Sequence, residues 1–358
     1  MNIRLLLGMI LCGTALFISG CGGGGGSADA GVSSSASASP SPTPTGAPPG
    51  FVGAKVNSTI KSTIMSSGQI QAATCIAYWS DLQPTETTFD WTTLETCIAG
   101  ADGFGKRAIA SVVVAVDRGI DIQNTPEWVF TKGSPKIWVP GVSNVFPLYW
   151  DPIYQQAFSA FLTGLADQYD GDARVALFIT TGYTSNVNVA LAGEENPLVQ
   201  NLYEAYGTVF DSKGNLVTAA NGGDYAKAIL DILNLWAGTF HQTRVAIINK
   251  ITTIDAVAAE IEQSALQNKM DLLNNGLTSD FSSGGTAQYQ RDIAGGLNVG
   301  WFGIAPQGIP SGGTLLSVIQ SSVSGLDPTH VYMILDEDLW NSNPDALAWA
   351  AANIGVAK

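Results

Sequence analysis

The sequence predicts an α/β fold, a (β/α)8 TIM barrel with an insertion after strand four, on three observations. Eight short apolar segments follow the first fifty residues, and between them the apolar residues recur with helical period. Those segments are apolar on both faces rather than alternating, the pattern of parallel strands buried on both sides. The alternation runs through about 300 residues with no second linker, the size of one such barrel. A doubly wound open sheet is the alternative. No G-x-G-x-x-G or P-loop follows any strand, which disfavours its nucleotide-binding forms.

Three regions precede or make up this alternation. Residues 1–20 read as a secretion signal: Arg4 supplies the positive charge and Leu5 to Ile18 an apolar run too short for a comfortable span. Ile18-Ser19-Gly20-Cys21 matches the bacterial lipobox, which makes Cys21 the expected site of lipidation. An ordinary signal peptide or a short anchor is the alternative. Gly22, rather than Asp, permits transfer to the outer membrane, so a cell-envelope protein is expected, touching membrane only through its N-terminal lipid. Residues 21–50, rich in Gly, Ser, Ala and Pro with Asp29 their one charge, cannot bury enough apolar surface to fold and read as a tether. Residues 51–358 form the barrel domain.

Strand one is expected over 52–56, strand two over 74–79 and strand three over 108–116. Between the last two, Leu94, Cys97, Ile98 and Ala101 fall on one helical face, ended by Gly103 and Gly105. A helix over 155–169 leads to strand four, 175–180, and an extended insertion, 183–223, follows. Helix 224–240 leads to strand five, 245–248; helix 254–267 to strand six, 270–273, ending in Asn274-Asn275-Gly276. A helix near 284–294 precedes strand seven, 298–304. A helix marked by Leu315, Val318, Ile319 and Val323 precedes strand eight, 331–335, and a last helix takes Asn343 as its cap and Pro344 in its first turn.

Composition narrows the chemistry. A formal net charge of −14 argues against a nucleic-acid partner, which needs a basic patch. His241 and His330 are the only histidines, so a multi-histidine metal site is impossible; a carboxylate calcium site is the alternative left open, and no cofactor or metal is expected. Cys75, on strand two, and Cys97, on the next helix, are either a disulfide in an oxidising compartment or two buried thiols.

A β/α barrel builds its site at the C-terminal ends of its strands. That rule selects Trp79 and Asp81 after strand two, Asp117 and Arg118 after strand three, and Glu194 in the insertion. It also selects Asn249 and Lys250 after strand five, Asn275 after strand six, and Asp336, Glu337 and Trp340 after strand eight. Trp79, Asp81, Asp117 and Trp340 are expected to line one pocket. Tryptophan faces stack on the C–H surfaces of sugars, and with the asparagines these residues suit a carbohydrate cleft. Core packing is the competing role for each tryptophan, and a solvated or helix-capping role for each acid.

The segment YWSDLQPTETTFDW, residues 78–91, followed by a helix, a Gly-Lys pair and a Val-rich strand, resembles the W..LEP..G.FDW stretch of β/α-barrel glycoside hydrolases. The nearest resemblance is to the β-galactosidase-like barrels of glycoside hydrolase family 42, and it covers residues 74–170. It implies an acid/base glutamate at the end of strand four and a nucleophilic glutamate at the end of strand seven. This chain departs there: strand four ends Thr180-Thr181-Gly182-Tyr183 and strand seven reads Gly300-Trp301-Phe302-Gly303-Ile304-Ala305. A glycan-binding barrel without catalysis is therefore expected. An active hydrolase that recruits Glu194 and Glu337 is the alternative, and an envelope protein with no ligand a third reading.

Overall fold

The computed structural model describes residues 50–56, 62–114, 124–138, 145–180, 225–249, 255–277, 283–304 and 313–356. Its strands are β1 (Phe51–Lys55), β2 (Ala72–Tyr78), β3 (Arg107–Val113), β4 (Lys136–Trp138), β5 (Val145–Pro147), β6 (Val175–Ile179), β7 (Val245–Asn249), β8 (Asp271–Leu277), β9 (Val299–Ile304) and β10 (Val331–Asp336). The helices are α1 (Ser62–Met65), α2 (Trp79–Leu82), α3 (Thr92–Gly103), α4 (Glu127–Thr131), α5 (Pro152–Tyr169), α6 (Tyr225–Thr239), α7 (Asp255–Asn268), α8 (Ser283–Ala294), α9 (Leu315–Val323), α10 (Glu337–Ser342) and α11 (Pro344–Asn353).

Eight strands close into a barrel in the order β1-β10-β9-β8-β7-β6-β3-β2, and β4 and β5 form a separate antiparallel pair. Every barrel pairing is parallel, so this is the (β/α)8 fold. The two faces of each strand serve different cores. Phe51, Ala72, Ile109, Leu177, Ile248, Leu273, Phe302 and Ile334 belong to a cluster made of strand residues alone, which fills the barrel. The alternate positions, such as Cys75, Ala77, Ala108, Val112 and Phe178, pack with helix residues such as Phe158, Phe161, Ile232 and Trp236 on the outside. Period-2 side-chain alternation divides the strands in this way, and burial of both faces explains their unbroken apolar runs.

At the strands' N-terminal ends a buried polar network floors the barrel. The Asp271 carboxylate is fully buried and accepts from Arg244 Nε at 2.7 Å, Tyr332 Oη at 2.8 Å and the Asn298 backbone N–H at 2.8 Å, with Arg244 Nη2 as a further donor. Asn298 Nδ2 donates to Tyr332 Oη at 2.7 Å. Burial, then the Asp271 charge, pushes the Tyr332 phenol up, so it keeps its proton and its donor role. A buried charge with so many donors meets its desolvation cost locally. Gly300 lies in register with Tyr332, where an added Cβ would stand 2.1 Å from the Tyr332 carbonyl oxygen; only glycine permits that approach.

Several local features differ from the sequence reading. Strand β8 runs on to Leu277, pairing with Ile304, so Asn274 and Asn275 lie within a strand and not beyond its end. Strand β2 stops at Tyr78 and Trp79 opens α2. Asn343 stands before α11 without a side-chain capping bond; its Nδ2 donates back to the Leu339 carbonyl at 2.9 Å. The short helices α1, α2, α4 and α10 span too few residues to show a period. The insertion 183–223 lies outside the described residues.

Cys75 and Cys97 are joined in a disulfide, with their Cα atoms 5.6 Å apart, tying β2 to α3. The bridge closes a loop of 22 residues in sequence separation. Replacing both cysteines with serine should cost about 3 kcal/mol through the freed unfolded chain, measurable as a lower denaturant midpoint.

The outer helices α7 and α8 meet at an acidic contact. Glu262 accepts from Gln288 Nε2 at 3.0 Å and pairs with Arg291 at 3.6 Å, while the fully buried Asp292 faces the same glutamate. Burial, then the Glu262 carboxylate, raises Asp292 from 3.8 to about 7. An acid raised on folding holds an extra proton in the native state, so stability falls as pH rises through that window. Thermal unfolding of the wild type should therefore weaken from the acid to the alkaline side of it, and Asp292→Asn should flatten that slope.

Candidate functional site

The barrel mouth lies at the C-terminal ends of the strands, and its described charges sit where the first and last strands meet. Lys55 ends β1 and Asp336 ends β10, as register partners on adjacent parallel strands. Their parity is that of Phe51, Tyr332 and Ile334, so both face the barrel axis. Lys55 Nζ stands 3.5 Å from Asp336 Oδ1, and the two side chains are 31% and 28% exposed. The same ammonium lies 5.7 Å from the centroid of the Phe302 ring. Tyr78, at the end of β2, is half-buried. The pair offers one charged donor and one charged acceptor, side by side and open to solvent.

Asp336 stands at the cap position of α10 but makes no capping bond; it turns to Lys55 instead. Glu337 is the next residue and is fully buried. Asp81 lies exposed on α2. Asn249 closes β7 in register with Asn274, and Asn275 pairs with Phe302 inside β8. Glu194, Asp117, Arg118, Lys250 and Cys21 lie outside the described residues. Among the described residues, no group of three or more His, Cys, Asp or Glu could hold a metal ion.

The expectation that Trp79 and Trp340 line a common pocket is corrected. Both are fully buried and belong to different apolar clusters outside the sheet. Trp79 continues the outward parity of Cys75 and Ala77; it packs edge-on against Trp128, Tyr154 and Phe158, and its Nε1 donates to Gln83 Oε1 at 2.9 Å. Trp340, on α10, donates to the Gly53 carbonyl of β1 at 2.9 Å. Trp301 is also buried, against Tyr289. Rings with no exposed face are core, not stacking platforms. Lys55 escaped the sequence reading, although a lysine ending an otherwise apolar strand was its available signal.

A hollow of about 420 Å³ is lined by Thr163, Asp167, Asp170, Thr239, His241 and Gln242. It opens at the opposite rim, before β6 and β7 begin. There Asp170 accepts the backbone N–H groups of His241, Gln242 and Thr243 at 2.7–2.9 Å and so holds the turn entering β7.

No protein-family model matches the chain, and no curated protein matches it. Solved structures do. The catalytic domain of a β-amylase from Paenibacillus polymyxa superposes with a TM-score of 0.55 at 12% identity, covering 86% of this chain and 98% of the amylase domain. Xylanase 10B from Thermotoga maritima gives 0.49 at 8% identity, covering 85% and 97%. Xylanase 10B from Thermotoga petrophila, in complex with xylobiose, gives 0.48 at 9%, covering 85% and 95%. At such identities the likeness is one of fold, and the fold shared with the amylase domain is the (β/α)8 barrel.

Proposed function

We propose that this chain is a carbohydrate-binding barrel of glycoside hydrolase descent, resembling family 42, that holds a glycan without cleaving it. The observation that carries the reading is the state of the mouth. Hydrolysis needs two carboxyl groups about 5–5.5 Å or 6.5–9.5 Å apart, across the scissile bond. Among the described residues, the acid that faces the axis at the strand ends is Asp336, and Lys55 neutralises it. Glu337, the next residue, is fully buried. Strand β6 ends in Ile179-Thr180 and β9 carries no acid, so the two family positions are vacant.

The lipobox ending at Cys21 supports anchorage of the chain at the cell envelope, in the outer membrane, by lipid on that cysteine. The Cys75–Cys97 bridge suits the oxidising compartment that export reaches. Among the described residues no helix is long and apolar enough to cross a membrane. Gly50 leads into β1 at the rim opposite the mouth, so a chain anchored through residue 21 joins the barrel away from the ligand.

The test is a panel of aryl glycosides and polysaccharides offered to the wild type, Glu194→Gln and Glu337→Gln. Saturable binding with no turnover is expected. Wild-type turnover abolished in both variants would replace this reading with a hydrolase using that pair. In cells of the producing bacterium, Cys21→Ala should move the protein from the membrane to the soluble fraction; retention in the membrane would place the anchor elsewhere.

A further inference from the structure

The geometry points to Lys55 and Asp336 as a hydroxyl-recognition pair at the barrel mouth that selects neutral sugars over uronic acids. This deepens the carbohydrate-binding reading and rests on it.

Position comes first. The two residues are register partners at the closing seam of the barrel, which sets their backbones side by side. Both face the axis, with nearly a third of each side chain open to solvent. A structural ion pair inside a barrel would be expected at the sealed floor, where Arg244 and Asp271 already supply one. The Lys55–Asp336 pair stands instead at the rim where barrel ligands dock.

Chemistry then narrows the ligand. An ammonium group is donor-only and an ionised carboxylate acceptor-only, whereas a hydroxyl both donates and accepts. Adjacent hydroxyls of a pyranose can therefore engage both, one accepting from Lys55 and its neighbour donating to Asp336. A lone lysine at this place would attract a uronate carboxylate. With Asp336 3.5 Å away, such a carboxylate meets a like charge. The formal charge of −14 on the whole chain acts in the same direction, repelling anionic polymers before they reach the mouth. The Phe302 ring, its centroid 5.7 Å from the ammonium, presents an apolar surface on one side of it.

Isothermal titration tests this with the neutral probes xylohexaose, cellohexaose, maltohexaose and mannohexaose and the anionic probe hexagalacturonate. The wild type should bind at least one neutral probe and not hexagalacturonate. Lys55→Met and Asp336→Asn should each weaken neutral binding about tenfold or more, as loss of a hydrogen bond to a charged group does. Asp336→Asn should also gain salt-sensitive binding of hexagalacturonate, because Lys55 then faces the mouth uncompensated. That gain requires a folded barrel and is beyond any merely structural role. Melting temperatures of both variants should stay within about 4 °C of wild type, since solvent-screened pairs contribute little to stability. A wild type that binds a neutral probe, with both variants unchanged, overturns the role of the pair and leaves the carbohydrate reading standing. A wild type that binds only hexagalacturonate overturns the selectivity. A wild type that binds no probe overturns both.

Discussion

Closure of the sheet between its first and last strands is the constraint from which the rest of the molecule follows. β1 and β10 meet through five register pairs, from Phe51 with Tyr332 to Lys55 with Asp336. At the lower end the two rings contact each other with centroids 4.6 Å apart, and at the upper end the two charges pair. Once that seam closes, no barrel strand has a free edge, and each is buried on both faces. The charged residues of the barrel strands, Lys55, Arg107, Asp271 and Asp336, accordingly stand at one end of the strands or the other.

The two ends solve that problem differently. At the floor, Asp271 is buried and draws its donors from β10 and from the approaches to β7 and β9. At the mouth, Lys55 and Asp336 pair with nearly a third of each side chain open to solvent. This division of labour is the usual one for the fold, with stability below and recognition above. The acidic contact between α7 and α8 belongs to neither end; there burial and a neighbouring carboxylate oppose ionisation of Asp292 and raise its pKa.

The tryptophans illustrate how the outer layer is built. Trp79, Trp236 and Trp340 are all fully buried between sheet and helices. Trp236 packs on Phe240 and Phe178, and Trp79 on Phe158 and Phe161. Large rings fill the wide gaps left where straight helices cross a curved sheet, and their indole N–H groups find nearby acceptors, as Trp79 and Trp340 do. An aromatic near a strand end is therefore ambiguous until its parity is known.

The eight barrel strands were legible in the sequence alone, because burial on both faces produces unbroken apolar runs and the intervening helices carry a separate period, whereas the short pair β4–β5 read as a loop. The absence of glutamate where strand four and strand seven end was equally a property of the sequence. What the sequence left undecided was which way each side chain points, since a shift of one residue reverses every one of them. Reading Trp79 only as a strand-end residue set that ring at the mouth; the face it shares with Cys75 and Ala77 sets it in the outer core. Lys55 and Asp336 lie 281 positions apart in the numbering, and no local pattern links them. Only closure of the barrel brings them to 3.5 Å, because pairing between the first and last strands is a property of the whole sheet and not of any segment of it.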